Sequence, residues 1–300
     1  PVDYHIKAFK KMGATISLDH GYIQAEGKLK GTLIKFKVSS VGATGNVLMG
    51  CINLDEEVII KNAAREPEIV DLCNFLIMMG VSISGVGSST LRVLGSKNND
   101  IIKFDYNVIP DRIEAGTFIA AAMITRSKIT LENINIEHIK SILFNFKKIG
   151  LHITENSEKS ITVVNTGDIK PLSIKTDIYP GFPTDMQPQW VAVMSLSNGL
   201  SEIEDTIYHD RFSHIPELVR LGAEIDLNNN VAKINGVKTF TAANVMCTDL
   251  RAGAALILSA LVSDGCTIVS RVYHVDRGYE DFEKKLNLLG VNIARINDDL

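Results

Sequence analysis

The chain has 300 residues, 45% hydrophobic and 22% charged, a composition that excludes a disordered polymer and predicts roughly two domains with sizeable cores. A formal net charge of −4 argues against nucleic-acid binding, which normally needs a basic face, and no run of 18 apolar residues offers a membrane span. The first residue is Pro1 with no methionine ahead of it, as expected of a processed product or a fragment.

In chain order, an amphipathic helix runs into Gly13 (IKAFKKMGATI), and the strand GYIQAEG (21–27) follows. An apolar helix, ATGNVLMGCI (43–52), comes next, then the strand EEVIIKN (56–62). GluProGlu at 66–68 starts a second amphipathic helix, with Pro67 suited to its first turn, and this helix ends at Gly80. The strand TLRVLG (90–95) closes the unit, and the least regular stretch, 96–110, places a domain boundary close to Pro110. Beyond it the order recurs: helix EAGTFIAAAMI (114–124), strand SKITLEN (127–133), helix ending at Gly150, strand ITVVN (161–165). It recurs again with MQPQWVAVMSL (186–196), GLSEIED (199–205), a helix ending at Gly222 and VAKING (231–236). The last copy carries AGAALILSALV (252–262), GCTIVSR (265–271) and a helix ending at Gly290.

The five glycines stand 67, 70, 72 and 68 residues apart. Each fits the position just past a helix, where a left-handed residue ends it. Solenoids usually repeat at shorter intervals, so the period points to closed pseudo-symmetric domains. Helices without a polar face, such as that around Trp190, must be buried among other elements. Cys51, Cys73, Cys247 and Cys266 show neither a CxxC pair nor zinc-ligand spacing, and are expected as reduced thiols in a core. His5, His152 and His209 are isolated, and no metal is expected.

Polar tips precede the apolar helices: SerSerValGly at 39–42, ProAspArg at 110–112, ProThrAsp at 183–185 and ThrAspLeuArg at 248–251. A helix start offers free N–H groups and partial positive charge, which suits anions or an ordinary capping side chain. Arginines recur at such tips, as Arg65, Arg112, Arg211, Arg251 and Arg277. If Asp/Arg tips from successive repeats converge, the arginines can fork a carboxylate or phosphate, and a lone aspartate among them can serve as general base.

The strings NAAREPEIVD (62–71), PDRIEAGTF (110–118), FPTDMQPQ (182–189), TDLRAGAAL (248–256) and YHVDRGYE (273–280) closely resemble the UDP-N-acetylglucosamine 1-carboxyvinyltransferases. The similarity runs through the whole chain. The resemblance implies an inside-out α/β barrel of the enolpyruvyl transferase fold, with two pseudo-threefold domains built from repeats of about 70 residues and an active site in the cleft between them. Residues 1–109 are then the remainder of an incomplete, nucleotide-side domain, and 110–300 are the domain of the phosphoenolpyruvate arginines and the base. It further implies transfer of the enolpyruvyl group of phosphoenolpyruvate to the 3′-hydroxyl of UDP-N-acetylglucosamine, through a tetrahedral adduct, with release of phosphate. This is the first committed step of peptidoglycan synthesis, a cytoplasmic reaction needing no metal or organic cofactor.

Carried over residue by residue, Asp185 matches the base that takes the sugar hydroxyl proton. Arg211 and Arg251 match arginines on the phosphoenolpyruvate carboxylate, and Arg277 one on its phosphate. Pro1, Val2, Asp3 and Tyr4 match the uracil segment, Ser39, Ser40, Val41 and Gly42 the loop at the nucleotide phosphates, and Ile207 an aliphatic residue lining the sugar-nucleotide site. Glu66, Asp111, Arg112 and Asp249 match supporting positions. The resemblance also implies sequence ahead of Pro1, bearing a lysine, an asparagine and a mobile loop with a catalytic cysteine that none of the four cysteines here matches. A rival expectation is therefore a non-catalytic sugar-nucleotide-binding remnant.

Overall fold

The computed structural model describes residues 2–96 and 104–296. The chain divides into two compact units, Pro1–Ile109 and Pro110–Leu300.

In the first unit, helix α1 (Asp3–Lys11) leads into the hairpin β1 (Thr15–Asp19) and β2 (Tyr22–Glu26). Strand β3 (Leu33–Lys35), helix α2 (Val41–Gly50), strand β4 (Val58–Lys61), helix α3 (Pro67–Met78) and strands β5 (Ser82–Ser84) and β6 (Thr90–Leu94) follow. Their sheet has the order β3-β4-β6-β5. The pair β3–β4 is parallel, so its connection must cross over, and α2 is that crossover. The other two pairs are antiparallel.

The second unit repeats the plan. It holds helix α4 (Arg112–Ile124), strand β7 (Lys128–Glu132), helix α5 (Lys140–Lys148) and the hairpin β8 (His152–Ser157) and β9 (Ser160–Val164). Strand β10 (Ile174–Lys175), helix α6 (Gln187–Met194), strand β11 (Leu200–Glu204), helix α7 (Ile215–Arg220) and strands β12 (Glu224–Asn228) and β13 (Val231–Asn235) form the next copy. Its sheet order, β10-β11-β13-β12, reproduces that of the first unit. The last copy has β14 (Phe240–Thr241), β15 (Asn244–Met246), helix α8 (Leu250–Ala260), β16 (Ser263–Asp264), β17 (Ile268–Ser270) and helix α9 (Phe282–Leu288). Helices α4, α6 and α8 are buried along most of their length, and the sheets of two to four strands remain separate, so no hydrogen-bonded ring of strands closes a barrel among the described residues.

Helices α4, α6 and α8 pack on one another in the middle of the second unit. Every residue of α6 is buried. In α4, Ile113 and the run from Ala115 through Ile124 are all buried. Trp190 is fully buried, edge-on to Phe146 and Phe182 at 5.3 Å each. The contact has no room to spare: a Cβ on Gly116 of α4 would stand 2.7 Å from Met186 Sδ.

The five repeat glycines all have positive φ, between 92° and 117°. At each, the glycine N–H donates to the carbonyl three residues back and the next N–H to the carbonyl five back, as in Gly150→Lys147 at 3.2 Å and Leu151→Phe146 at 3.0 Å. This paired closure satisfies carbonyls that the helix end leaves open. After four of the glycines a strand begins. After Gly290 residues 291–296 form none, because no strand pairs with them among the described residues. Cys51, Cys73 and Cys247 are buried, and burial pushes their thiols up to about 12, 11 and 11. Cys266 departs from expectation: it is exposed, in the turn between β16 and β17.

Gly150→Ala should cost about 1–2 kcal/mol in urea unfolding, because φ there is +117°. Gly167→Ala, where nothing lies within 4 Å of the added carbon, should cost nothing measurable. Equal midpoints for the two variants would remove the capping role.

Candidate functional site

The three central helices of the second unit begin with acidic tips. Asp111 caps α4, its Oδ1 accepting from Ile113 N at 2.7 Å and Glu114 N at 3.1 Å. Asp249 caps α8, accepting from Arg251 N at 2.8 Å and Ala252 N at 2.9 Å, and its Oδ2 takes the Ser213 hydroxyl at 3.2 Å. Such caps satisfy free N–H groups and place negative charge at the positive helix end.

The third tip is built differently. Helix α6 is entered through a 3-10 turn, Thr184–Met186, and among the described residues the Asp185 carboxylate accepts no capping N–H. Its carboxylate is held instead by Arg211 Nη1 through Oδ1 and by Arg251 Nη2 at 3.4 Å through Oδ2. Burial pushes the Asp185 carboxyl up, but the Arg211 and Arg251 guanidiniums, with Arg112 adding its charge, outweigh that and hold it below the usual carboxylate range. Asp185 is therefore ionised at neutral pH.

Arg251 has a second anchor. Its Nη1 donates to the Tyr279 hydroxyl at 3.2 Å. Thr117 Oγ1 is 2.8 Å from the same hydroxyl, and Gln189 Nε2 reaches both, at 3.0 and 3.3 Å. Thr117, Gln189 and Arg251 come one each from α4, α6 and α8, so the Tyr279 hydroxyl ties all three helices together. None of Tyr279, Thr117 and Gln189 was singled out by sequence reasoning; only the polar interruption of an apolar helix marked the latter two.

The remaining residues fall into two groups. Arg112 opens α4, 5.8 Å from the Tyr179 ring centroid. Ile207 and Arg211 share the turn after β11, where Arg211 lies 5.4 Å from the Tyr208 ring centroid. Arg277 ends the 3-10 turn Val272–Arg277, is exposed, and makes no ion pair among the described residues. In the first unit, Val2 precedes α1, and Asp3 pairs with Lys7 at 2.7 Å. A cavity of about 390 Å³ is lined by Asp3, Tyr4, Phe36 and the lysines Lys7, Lys11, Lys35 and Lys37. Ser39, Ser40, Val41 and Gly42 lie beyond that lining. Ser40 Oγ caps α2, accepting from Ala43 N at 3.3 Å, while Gly42 faces the His5 ring, which is 2.6 Å from Asn46. Glu66 is buried before α3 and accepts from Arg65 N at 2.9 Å. Pro1 lies outside the described residues.

His214, three residues after Arg211, is fully buried, and neither ring nitrogen has a hydrogen-bond partner among the described residues. Burial holds its pKa down at about 3, against an opposing pull from Asp249. Because the folded value lies below the unfolded one of about 6.5, stability is complete above pH 6.5 and falls as pH drops toward 3, by up to ~1.4 kcal/mol per unit. His214→Leu should flatten the pH dependence of urea midpoints between pH 6.5 and 4; an unchanged slope would place the acid sensitivity elsewhere.

Comparison with known proteins places this architecture. Residues 1–286 match the family described as EPSP synthase (3-phosphoshikimate 1-carboxyvinyltransferase). The chain is 50% identical over 298 residues to the UDP-N-acetylglucosamine 1-carboxyvinyltransferase of Chloroherpeton thalassium, covering 98% of this chain and 69% of that one. It is 48% identical over 298 residues to the enzyme of the same name from Chlorobium chlorochromatii, covering 98% and 70%. Among solved structures, the enolpyruvyl transferase NikO from Streptomyces tendae superposes with a TM-score of 0.87 at 22% identity, covering 98% of this chain and 72% of that one, a likeness of fold. With its repeated units, its buried helices and this identity over nearly its whole length, the chain belongs to the enolpyruvyl transferase family, among the UDP-N-acetylglucosamine 1-carboxyvinyltransferases.

Proposed function

We propose that the protein transfers the enolpyruvyl group of phosphoenolpyruvate to the 3′-hydroxyl of UDP-N-acetylglucosamine and releases phosphate, in the cytoplasm, as an early step toward peptidoglycan. The observation that carries this reading is the hold of Arg211 and Arg251 on one carboxylate, that of Asp185. Two guanidiniums gathered on a carboxylate are what a small carboxylate substrate needs. The relatives, all matched along nearly the whole of this chain, favour transfer over a binding remnant.

The chemistry follows from the charges. In the free protein Asp185 is a poor base, because its partners stabilise the anion. When the phosphoenolpyruvate carboxylate takes over Arg211 and Arg251, Asp185 loses that stabilisation and its basicity rises. It then accepts the proton of the sugar 3′-hydroxyl. The freed oxygen adds to C2 of phosphoenolpyruvate while a general acid donates a proton to C3, giving a tetrahedral adduct with a C3 methyl group. A base then removes a proton from that methyl group as the C2–O bond to phosphate breaks, which restores the double bond and releases phosphate. Arg277, exposed and making no ion pair among the described residues, is the cation assigned to the phosphate. Arg112, Asp111, Asp249 and Glu66 support the tips. Asp3 and Tyr4, beside the lysine-lined cavity, together with Pro1, Val2 and the 39–42 loop, are assigned to the nucleotide, and Ile207 to the sugar-nucleotide.

Phosphate release by the complete gene product, with both substrates present, tests the reading. Asp185→Asn should lower kcat on the order of 10²–10⁴-fold, the usual worth of a general base. Arg251→Lys should raise KM for phosphoenolpyruvate by roughly 10-fold, as expected for one lost charged hydrogen bond, with KM for the sugar nucleotide unchanged. Near-normal turnover of Asp185→Asn would remove the base assignment. No phosphate release from the unaltered protein would remove the function.

A further inference from the structure

Asp205, just after β11, is fully buried and its carboxylate makes no ion pair among the described residues. Instead it collects neutral donors from three segments. Its Oδ1 accepts the Thr176 hydroxyl at 2.8 Å and the backbone N–H groups of Ile207 and Tyr208 at 3.0 and 2.9 Å. Its Oδ2 accepts the Thr184 hydroxyl at 2.7 Å. A buried anion is tolerated when its lone pairs are filled in this way, and losing one donor leaves it costly. The backbone of Asp205 is fixed as well, its carbonyl accepting from Asn230 Nδ2 at 3.0 Å.

The segments so joined are not neutral choices. Thr184 directly precedes Asp185 in the 3-10 turn. Ile207 and Tyr208 form the turn that carries Arg211. We infer that Asp205 is a positioning residue, a buried bracket that sets the distance between Asp185 and Arg211 by gripping the backbone turn of one and the neighbouring hydroxyl of the other. Its catalytic meaning rests on the function proposed above; the geometry does not. The charged groups facing Asp185 are Arg211, Arg251 and Arg112, and only Arg211 sits on a segment that Asp205 holds.

The consequence can be read without turnover. Severing the bracket lets Arg211 drift from Asp185, so the Asp185 carboxyl should titrate at higher pH. The chain is labelled with carboxyl-¹³C aspartate, and the Asp185 resonance is identified by its loss in Asp185→Asn. In Asp205→Asn, and in Thr184→Val, which cuts only the Oδ2 arm, the Asp185 midpoint should move up toward the ordinary carboxylate range. A folded Thr184→Val or Asp205→Asn with an unmoved midpoint overturns the proposal. In the phosphate-release assay, both variants should shift the acid limb of kcat/KM upward, whereas mere loss of folded protein scales the profile without moving it. If the unaltered protein releases no phosphate, the function reading fails while the carboxyl titration still decides the bracket.

Discussion

Three apolar helices that bury one another can meet water only at their ends. In the second unit α4, α6 and α8 begin at one place, where their first-turn N–H groups and partial positive charges accumulate. That accumulation must be answered with acceptors and negative charge. Asp111 and Asp249 answer it in the ordinary way, from the capping position. Asp185 does not cap, and its charge is left for two arginines to engage. The cluster of Asp185 with its two arginines is what remains when the electrostatics of buried helix starts have been settled at two tips and left open at the third.

Below the tips, a small polar cluster crosses a largely apolar helix interface. The Tyr279 hydroxyl with Thr117, Gln189 and Arg251 contacts each central helix once. Buried polar groups of this kind are costly unless paired, and paired they favour one alignment of the helices over others. The same cluster anchors the Arg251 guanidinium, so one hydroxyl touches both the alignment of the helices and an arginine that holds Asp185.

The repeat was legible in the sequence because each copy ends a helix in the same local way. The glycines at 13, 80, 150, 222 and 290 declare a left-handed residue without reference to anything distant. Asp111 and Asp249 were open to two readings, cap or site, and the structure gives them hydrogen bonds of caps at the rim of the site. What sequence reasoning did not reach is convergence. Thr117 and Tyr279 are 162 residues apart, and no periodicity says that they touch. Asp205 was hidden for a related reason: it closes a strand that alternates as any half-buried strand does, so its carboxylate reads as solvated until the turn folds over it.

The missing side chain at Gly116 bears on how such a site can change over generations. With no carbon beyond the backbone, that helix position lets the Met186 thioether lie close against it, and Met186 adjoins Asp185. One methyl group there would have to be met by movement of the end of Ile142 and of the Met186 thioether, next in the chain to the carboxylate. The packing of a buried helix face and the acid at its tip are thus one residue apart, and a volume change in the first is felt next door to the second.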